Sequence, residues 1–199
     1  MIKRIFDIVV ACTLLIVMSP IIFFVALLVR CNLGTPIFFR QNRPGLHGAP
    51  FLMIKFRTML EITDDHGEVI EDAYRITRLG SFLRSFSLDE LPELWNVIKG
   101  EMSIVGPRPL LIEYLPLYNE TQKRRHEIKP GITGLTQING RNALAWKEKF
   151  DLDVWYVDNH SLWLDMKILL LTAKKVLIRE GITSKGSITA EKFSGNKEY

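Results

Sequence analysis

Asp89 and Glu90 are adjacent carboxylates inside the run Ser85-Phe86-Ser87-Leu88-Asp89-Glu90-Leu91-Pro92. Two readings of that run are open. Ser87 with Glu90 fits the S-x-x-E capping box, in which both side chains only start a helix. Alternatively the carboxylates form a reactive pair, one a nucleophile and the other a metal ligand or general acid/base. The readings are compatible, because a capped helix start is a rigid platform whose N-terminal end favours an incoming phosphate.

Cations that could receive such a phosphate lie in three other places. Arg40, Arg43, Lys55 and Arg57 fall between residues 36 and 60 with no acid among them. They either snorkel to lipid headgroups or hold a pyrophosphate. Arg84 stands just before the carboxylate pair. Arg108 lies between Pro107 and Pro109, whose stiff backbone suits a guanidinium held against a ligand. The run Gln122-Lys123-Arg124-Arg125-His126 reads as a solvated helix face. His47, His66, His126 and His160 have no metal-ligand spacing. Cys12 and Cys31 sit far apart in an apolar stretch and read as small apolar side chains in a reducing context. Neither a P-loop, a dinucleotide fingerprint nor a G-x-S-x-G elbow is present.

These residues need elements to position them. Residues 36–57 read as a β-hairpin punctuated by Pro44-Gly45 and Gly48, and 61–72 as a polar loop. Helices are expected over Thr77–Ser85, Leu88–Ile98 (ended by Gly100), Leu117–Ile128, Trp146–Asn159 and Leu162–Glu180, the last capped by Ser161. Residues 103–109 cannot be regular helix, and Pro130-Gly131-Ile132-Thr133-Gly134 reads as a turn. The last helix carries Lys167, Lys174, Lys175 and Arg179 on one side, which suits an anionic membrane surface or a soluble core equally. In the polar tail from Ser184, Glu191-Lys192-Phe193 is the one notable feature.

The chain has 199 residues and a net charge of +4, about one domain with no general basic surplus for a nucleic-acid partner. Its mean hydropathy of +0.10 is high for a soluble protein. The excess sits in Ile8–Val29, which carries no charge and would extend about 33 Å as a helix, enough to cross a bilayer. A cleavable signal peptide has a shorter apolar part and a small-x-small site, which is absent here. Val-Val-Ala-Cys at 9–12 only loosely resembles a lipoprotein box, and a core helix apolar all round is unusual at this length. Ser19-Pro20 near the middle predicts a kink. Lys3 and Arg4 on one flank and Arg30, Arg40 and Arg43 on the other mark both ends as cytoplasmic. A straight span and a re-entrant helix–break–helix remain, and the second resolves the charge conflict.

Taken together, the segments Lys3-Arg4-Ile5-Phe6-Asp7, Ser19-Pro20, Gln41-Asn42-Arg43-Pro44-Gly45, Lys55-Phe56-Arg57-Thr58-Met59 and Ser87-Leu88-Asp89-Glu90-Leu91-Pro92 resemble the bacterial sugar transferases, the monotopic phosphoglycosyl transferases. Gly106-Pro107-Arg108-Pro109, Lys129-Pro130-Gly131-Ile132-Thr133-Gly134 and Gln137-Ile138-Asn139-Gly140-Arg141 continue the resemblance in the same order. It implies a mainly α (α+β) monotopic membrane protein. Residues 1–35 would be a re-entrant membrane helix broken at Ser19-Pro20, and 36–199 a catalytic domain on the cytoplasmic face of the bacterial inner membrane. It also implies transfer of a sugar phosphate from a UDP-sugar to undecaprenyl phosphate, with release of UMP. Asp89 would be the nucleophile, Glu90 with Asp89 would hold Mg²⁺, and Lys55, Arg84, Arg108, Arg43 and Arg141 would bind substrate. The ending Thr189–Gly195 is similar to that of the small enzymes of N-linked glycan assembly, which use UDP-diacetylbacillosamine, though it departs at Ala190 and Ser194. Membrane lipids are expected partners, a homodimer follows only by analogy, and nucleic acid is not expected. The rival to catalysis is a membrane-docked scaffold whose carboxylates only cap a helix.

Overall fold

The computed structural model describes residues 1–62, 71–140, 144–178 and 192–195. Its first element, α1 (Ile2–Leu33), is one helix of 32 residues. It runs through Ser19 and Pro20, so the expected break does not divide it into two elements. Pro20 offers no N–H to the carbonyl of Ile16, and Ser19 Oγ donates to that oxygen instead at 2.8 Å. Gly34, at φ 76°, ends the helix.

Both ends of α1 pack on the same domain. Near the start, Asp7 and Ala11 are buried; near the end, Val25 and Val29 are. The stretch between, with Ile16, Val17, Ile21, Phe23 and Phe24, is exposed.

The expected hairpin is present: β1 (Phe38–Pro44) pairs antiparallel with β2 (Pro50–Phe56), Phe39 opposite Lys55 and Arg43 opposite Phe51. Next come the short α2 (Asp72–Arg75) and α3 (Arg78–Ser85), the latter capped by Thr77 Oγ1, which accepts from Gly80 N at 2.9 Å. The expected helix from Leu88 is split. A 3-10 turn over Leu88–Glu90 is followed by α4 (Glu93–Lys99), and Gly100 in the left-handed region stops it. Ser87 itself is left-handed, at φ 55°, and makes no side-chain cap. The capping box is therefore absent, because a box needs an extended N-cap residue.

Residues 130–134 are not a free turn. Within them β4 (Gly131–Thr133) pairs parallel with β3 (Ser103–Val105). This pairing depends on a close approach: a Cβ at Gly131 would lie 2.1 Å from Gly106 N. Between the two strands, the expected helix Leu117–Ile128 is a 3-10 stretch over Ile112–Leu117, α5 (Glu120–Lys123) and a 3-10 turn over Arg124–His126. Gln122, Arg125 and His126 are buried, so this is not a solvated face. The short α6 (Leu135–Asn139) follows β4. α7 (Trp146–Asn159) matches its sequence reading, and α8 (Leu162–Ile178) starts where expected, with Leu164 N donating to Ser161 Oγ at 3.2 Å.

The main core gathers Ala11 of α1, Phe51 and Met53 of β2, Leu94 and Val97 of α4, Met102, Ile104, Tyr156 and Ile168. A second cluster joins Val25 and Val29 to Phe56 and Leu83, so α1 contributes to two cores. The architecture is the expected one, mostly helical with a long apolar first helix and a small domain holding short sheets.

Candidate active site

Strand alternation sorts the basic hairpin residues. Side chains two apart share a face, and Phe39, Gln41 and Arg43 of β1 with Met53 and Lys55 of β2 line one cavity of about 830 Å³. Arg40 falls on the opposite, exposed face and takes no part. Arg57, beyond the hairpin, also borders the cavity, but its guanidinium donates to the carbonyls of Thr35 (3.1 Å) and Leu33 and so caps the end of α1.

The loop from α3 to α4 closes the facing wall. The left-handed turn at Ser87 and the 3-10 turn after it carry Asp89 and Glu90 into the cavity. α3 is pressed onto the hairpin's exit, since a Cβ at Gly80 would come within 1.9 Å of Thr58 O. That contact sets Arg84, whose Nε donates to Thr58 Oγ1 at 3.0 Å, on the same cavity.

Arg108 arrives from the third side. Gly106 N donates to Thr133 O at 2.9 Å and Gly131 N to Pro107 O at 3.0 Å, fixing the segment's backbone. Buried Arg125 donates to Arg108 O at 2.7 Å and pairs with buried Asp153, also at 2.7 Å. Thr136 Oγ1 donates to the other oxygen of Asp153, completing the brace.

The two adjacent carboxylates differ sharply. Glu90 Oε1 accepts from Lys55 Nζ at 2.7 Å and from Arg108 Nη2 at 2.6 Å. Burial alone would raise its pKa, but those two cations outweigh burial and hold it well below the usual carboxylate range. Asp89 is 7% exposed and forms no ion pair with any described residue. Burial and the charge of Glu90 raise its pKa, against the more distant attraction of Lys55, Arg84 and Arg108. Burial also lowers Lys55, but Glu90 and Glu93 overcome it, so the ammonium stays charged. Arg43, half-buried, is lowered to about 10 by desolvation and by the charge of Arg108.

Thus Asp89, Glu90, Lys55, Arg84, Arg108 and Arg43 converge as expected; Arg141 lies outside the described residues. Three further residues belong here. Glu93 is 2% exposed and 3.0 Å from Lys55 Nζ, and burial raises it to about 7. Its only sequence signal is the i, i+3 spacing from Glu90. Gln137 borders the cavity with both amide atoms buried and, among the described residues, unpartnered. Lys192, from the tail, borders it too.

Among the described residues no group of three or more His, Cys, Asp or Glu could alone hold a metal. The site still fits Mg²⁺, which commonly uses one or two carboxylates and completes its shell with substrate phosphates and water. Both cationic contacts to Glu90 fall on Oε1, so no described side chain donates to Oε2.

Comparison with known proteins gives a consistent result. An uncharacterized sugar transferase of Bacillus subtilis (strain 168), EpsL, is 57% identical over 194 residues, 98% of this chain and 96% of its own length. The galactosyl transferase CpsE of Streptococcus agalactiae serotype III (strain NEM316) is 43% identical over 90% of this chain, which spans 43% of CpsE. A UDP-glucose:undecaprenyl-phosphate glucose-1-phosphate transferase of Xanthomonas campestris pv. campestris is also 43% identical, over 88% of this chain and 38% of its own length. The bacterial sugar transferase signature itself covers residues 1–179, and the chain belongs to that family.

Proposed function

We propose that this protein transfers a sugar 1-phosphate from a UDP-sugar to undecaprenyl phosphate and releases UMP. The observation that carries the reading is the opposite fate of two adjacent carboxylates: Glu90 tied to two cations, Asp89 buried and without an ion pair among the described residues. Neighbouring titratable groups with pKa values driven apart mark a division of labour.

In the first step a carboxylate oxygen of Asp89 attacks the β-phosphorus. An Asp89–phosphorus bond forms, the bond to the bridging oxygen breaks, and UMP leaves. In the second step a phosphate oxygen of the lipid attacks the same phosphorus and Asp89 departs as a carboxylate. An anion must approach an anion in both steps. Lys55, Arg84, Arg108 and Arg43 offset that repulsion by surrounding the phosphates. Mg²⁺, held by Glu90 with Asp89, would supply further neutralisation of the pyrophosphate.

The membrane reading rests on α1. It is long and apolar enough to cross a bilayer. Yet Arg4 near its start donates to the carbonyls of Val97 (2.6 Å) and Ile98 (2.8 Å), while Val29 near its end packs against the same domain. One domain cannot occupy both sides of a membrane, which supports an α1 that enters and leaves by a single face, the cytoplasmic one in this reading. In this reading the cavity opens beside the lipid carrying the acceptor.

The donor favoured by the tail Thr189–Gly195 is a UDP-N-acetylated sugar such as UDP-diacetylbacillosamine. UDP-glucose and the galactose donors implied by the relatives' names are the competing arms. The test is UMP release by protein in nanodiscs with Mg²⁺, undecaprenyl phosphate and each UDP-sugar in turn. Release with one sugar supports the reaction and names the donor. No release with any sugar, together with no binding of any UDP-sugar, overturns it in favour of a scaffold.

A further inference from the structure

Phe193 is 6% exposed, although it belongs to a short tail segment that forms no helix or strand. It fills an aromatic socket. Its ring lies 5.0 Å from Phe150, 5.4 Å from Trp146, 5.7 Å from Tyr114 and 6.0 Å from Tyr118, centroid to centroid. The Phe193 N–H donates to Tyr114 Oη at 3.3 Å. A buried phenyl ring with several aromatic neighbours is a strong anchor.

Two residues of that socket, Tyr114 and Trp146, also border the cavity that holds Asp89 and Glu90. The anchor therefore fixes the tail at the cavity wall, and the residue before it, Lys192, borders the cavity as an exposed side chain. Among the described residues no carboxylate pairs with Lys192, whereas Lys55 and Arg108 are already engaged by Glu90.

We propose that the tail is part of the donor site: Phe193 locks into the socket and holds Lys192 where its ammonium binds the anionic diphosphate of the nucleotide sugar. This deepens the transferase reading above and rests on it. The role is ground-state binding, so its loss raises KM for the donor and leaves kcat for bound substrate.

The test uses the full-length protein in nanodiscs with the donor found by the UMP-release panel, and UDP as a calorimetric probe. Lys192→Ala is expected to raise the donor KM and weaken UDP binding by about tenfold, with kcat and thermal midpoint kept. Lys192→Arg should restore both and Lys192→Gln should not. Phe193→Ala should give the same KM defect, and Phe193→Leu, which keeps an apolar plug, a smaller one. If Lys192→Ala and Lys192→Gln match the wild type while Phe193→Ala is impaired, the tail is only a wall element and the assignment of Lys192 is overturned. Wild-type protein that binds no UDP and turns over no donor overturns the transferase reading and this one together. Normal wild-type turnover with unchanged Lys192 variants overturns this one alone.

Discussion

Arg108 Nη2 donates to Glu90 Oε1 at 2.6 Å, on the same oxygen that receives Lys55 Nζ at 2.7 Å. Glu90 thus engages both cations, Lys55 also meeting Glu93, while the neighbouring Asp89 has no ion pair among the described residues. The charge of Glu90 is stabilised and that of Asp89 is not, which suits a holding role for one and an attacking role for the other.

Asp89→Asn keeps the shape of the loop and removes the oxygen anion proposed as the nucleophile. Turnover should fall by at least about a thousandfold, and the phosphosugar adduct expected on the wild type by intact-protein mass spectrometry should be absent. Because burial raises the carboxyl at this position, the amide should not lower the thermal midpoint. Equal activity in this variant would remove Asp89 from the mechanism.

Gln137 keeps a buried carboxamide with no partner for either amide atom among the described residues. An unsatisfied buried polar group costs about 1–3 kcal/mol, so Gln137→Met should stabilise the protein and raise the thermal midpoint by a few degrees. If the amide is held ready for the donor, kcat/KM should fall in the same variant. Lower stability with intact activity would show that the amide serves the fold.

His126 is buried beside Arg125, and burial first, then that charge, lowers its pKa to about 4. The folded value is below the unfolded one of about 6.5, so the stabilisation is present above pH 6.5 and is lost as pH falls towards 4. Wild-type stability should drop across that window by up to about 3 kcal/mol. Thermal scans from pH 7.5 to 4.5 should show a shallower decline for His126→Gln.

The course of α1 can be tested by labelling. In a background with Cys12 and Cys31 replaced by alanine, single cysteines at Ile2 and Thr35 should both react with a membrane-impermeant reagent only from the cytoplasmic side. Reaction from opposite sides would establish a spanning helix.

Local rules carried some elements and failed at others. α1, the hairpin, α7 and the start of α8 were legible because period, length and punctuation agree within each segment. The pairing of Ser103–Val105 with Gly131–Thr133 was not: three-residue strands carry almost no pattern, and the close approach of Gly106 to Gly131 that the pairing needs joins residues far apart in sequence. Ser87 looked like a helix cap, but tertiary packing holds it left-handed. In the site, charged residues grouped by segment could be picked out from the sequence. The placement of Glu93, Gln137 and Lys192 was not legible, even where the sequence marked Lys192 and the segment of Gln137 as notable, since what brings them to the site is long-range: a pairing with Lys55 of β2, an unpartnered amide, and an aromatic anchor in the tail.

The clamp on the start of α1 has a consequence for the order of events during synthesis. Asp7 waits for Ser103, and Lys3 for Asp165, which lies 162 positions later in the chain. At ordinary translation speeds of roughly 5–20 residues per second, that delay is on the order of ten seconds or more. Over that interval the apolar helix has emerged while its polar partners have not been made. On the membrane reading proposed above, the nascent chain would meet the bilayer first, and the domain would close afterwards around a helix the lipid already holds, with the membrane serving as the surface on which the domain folds.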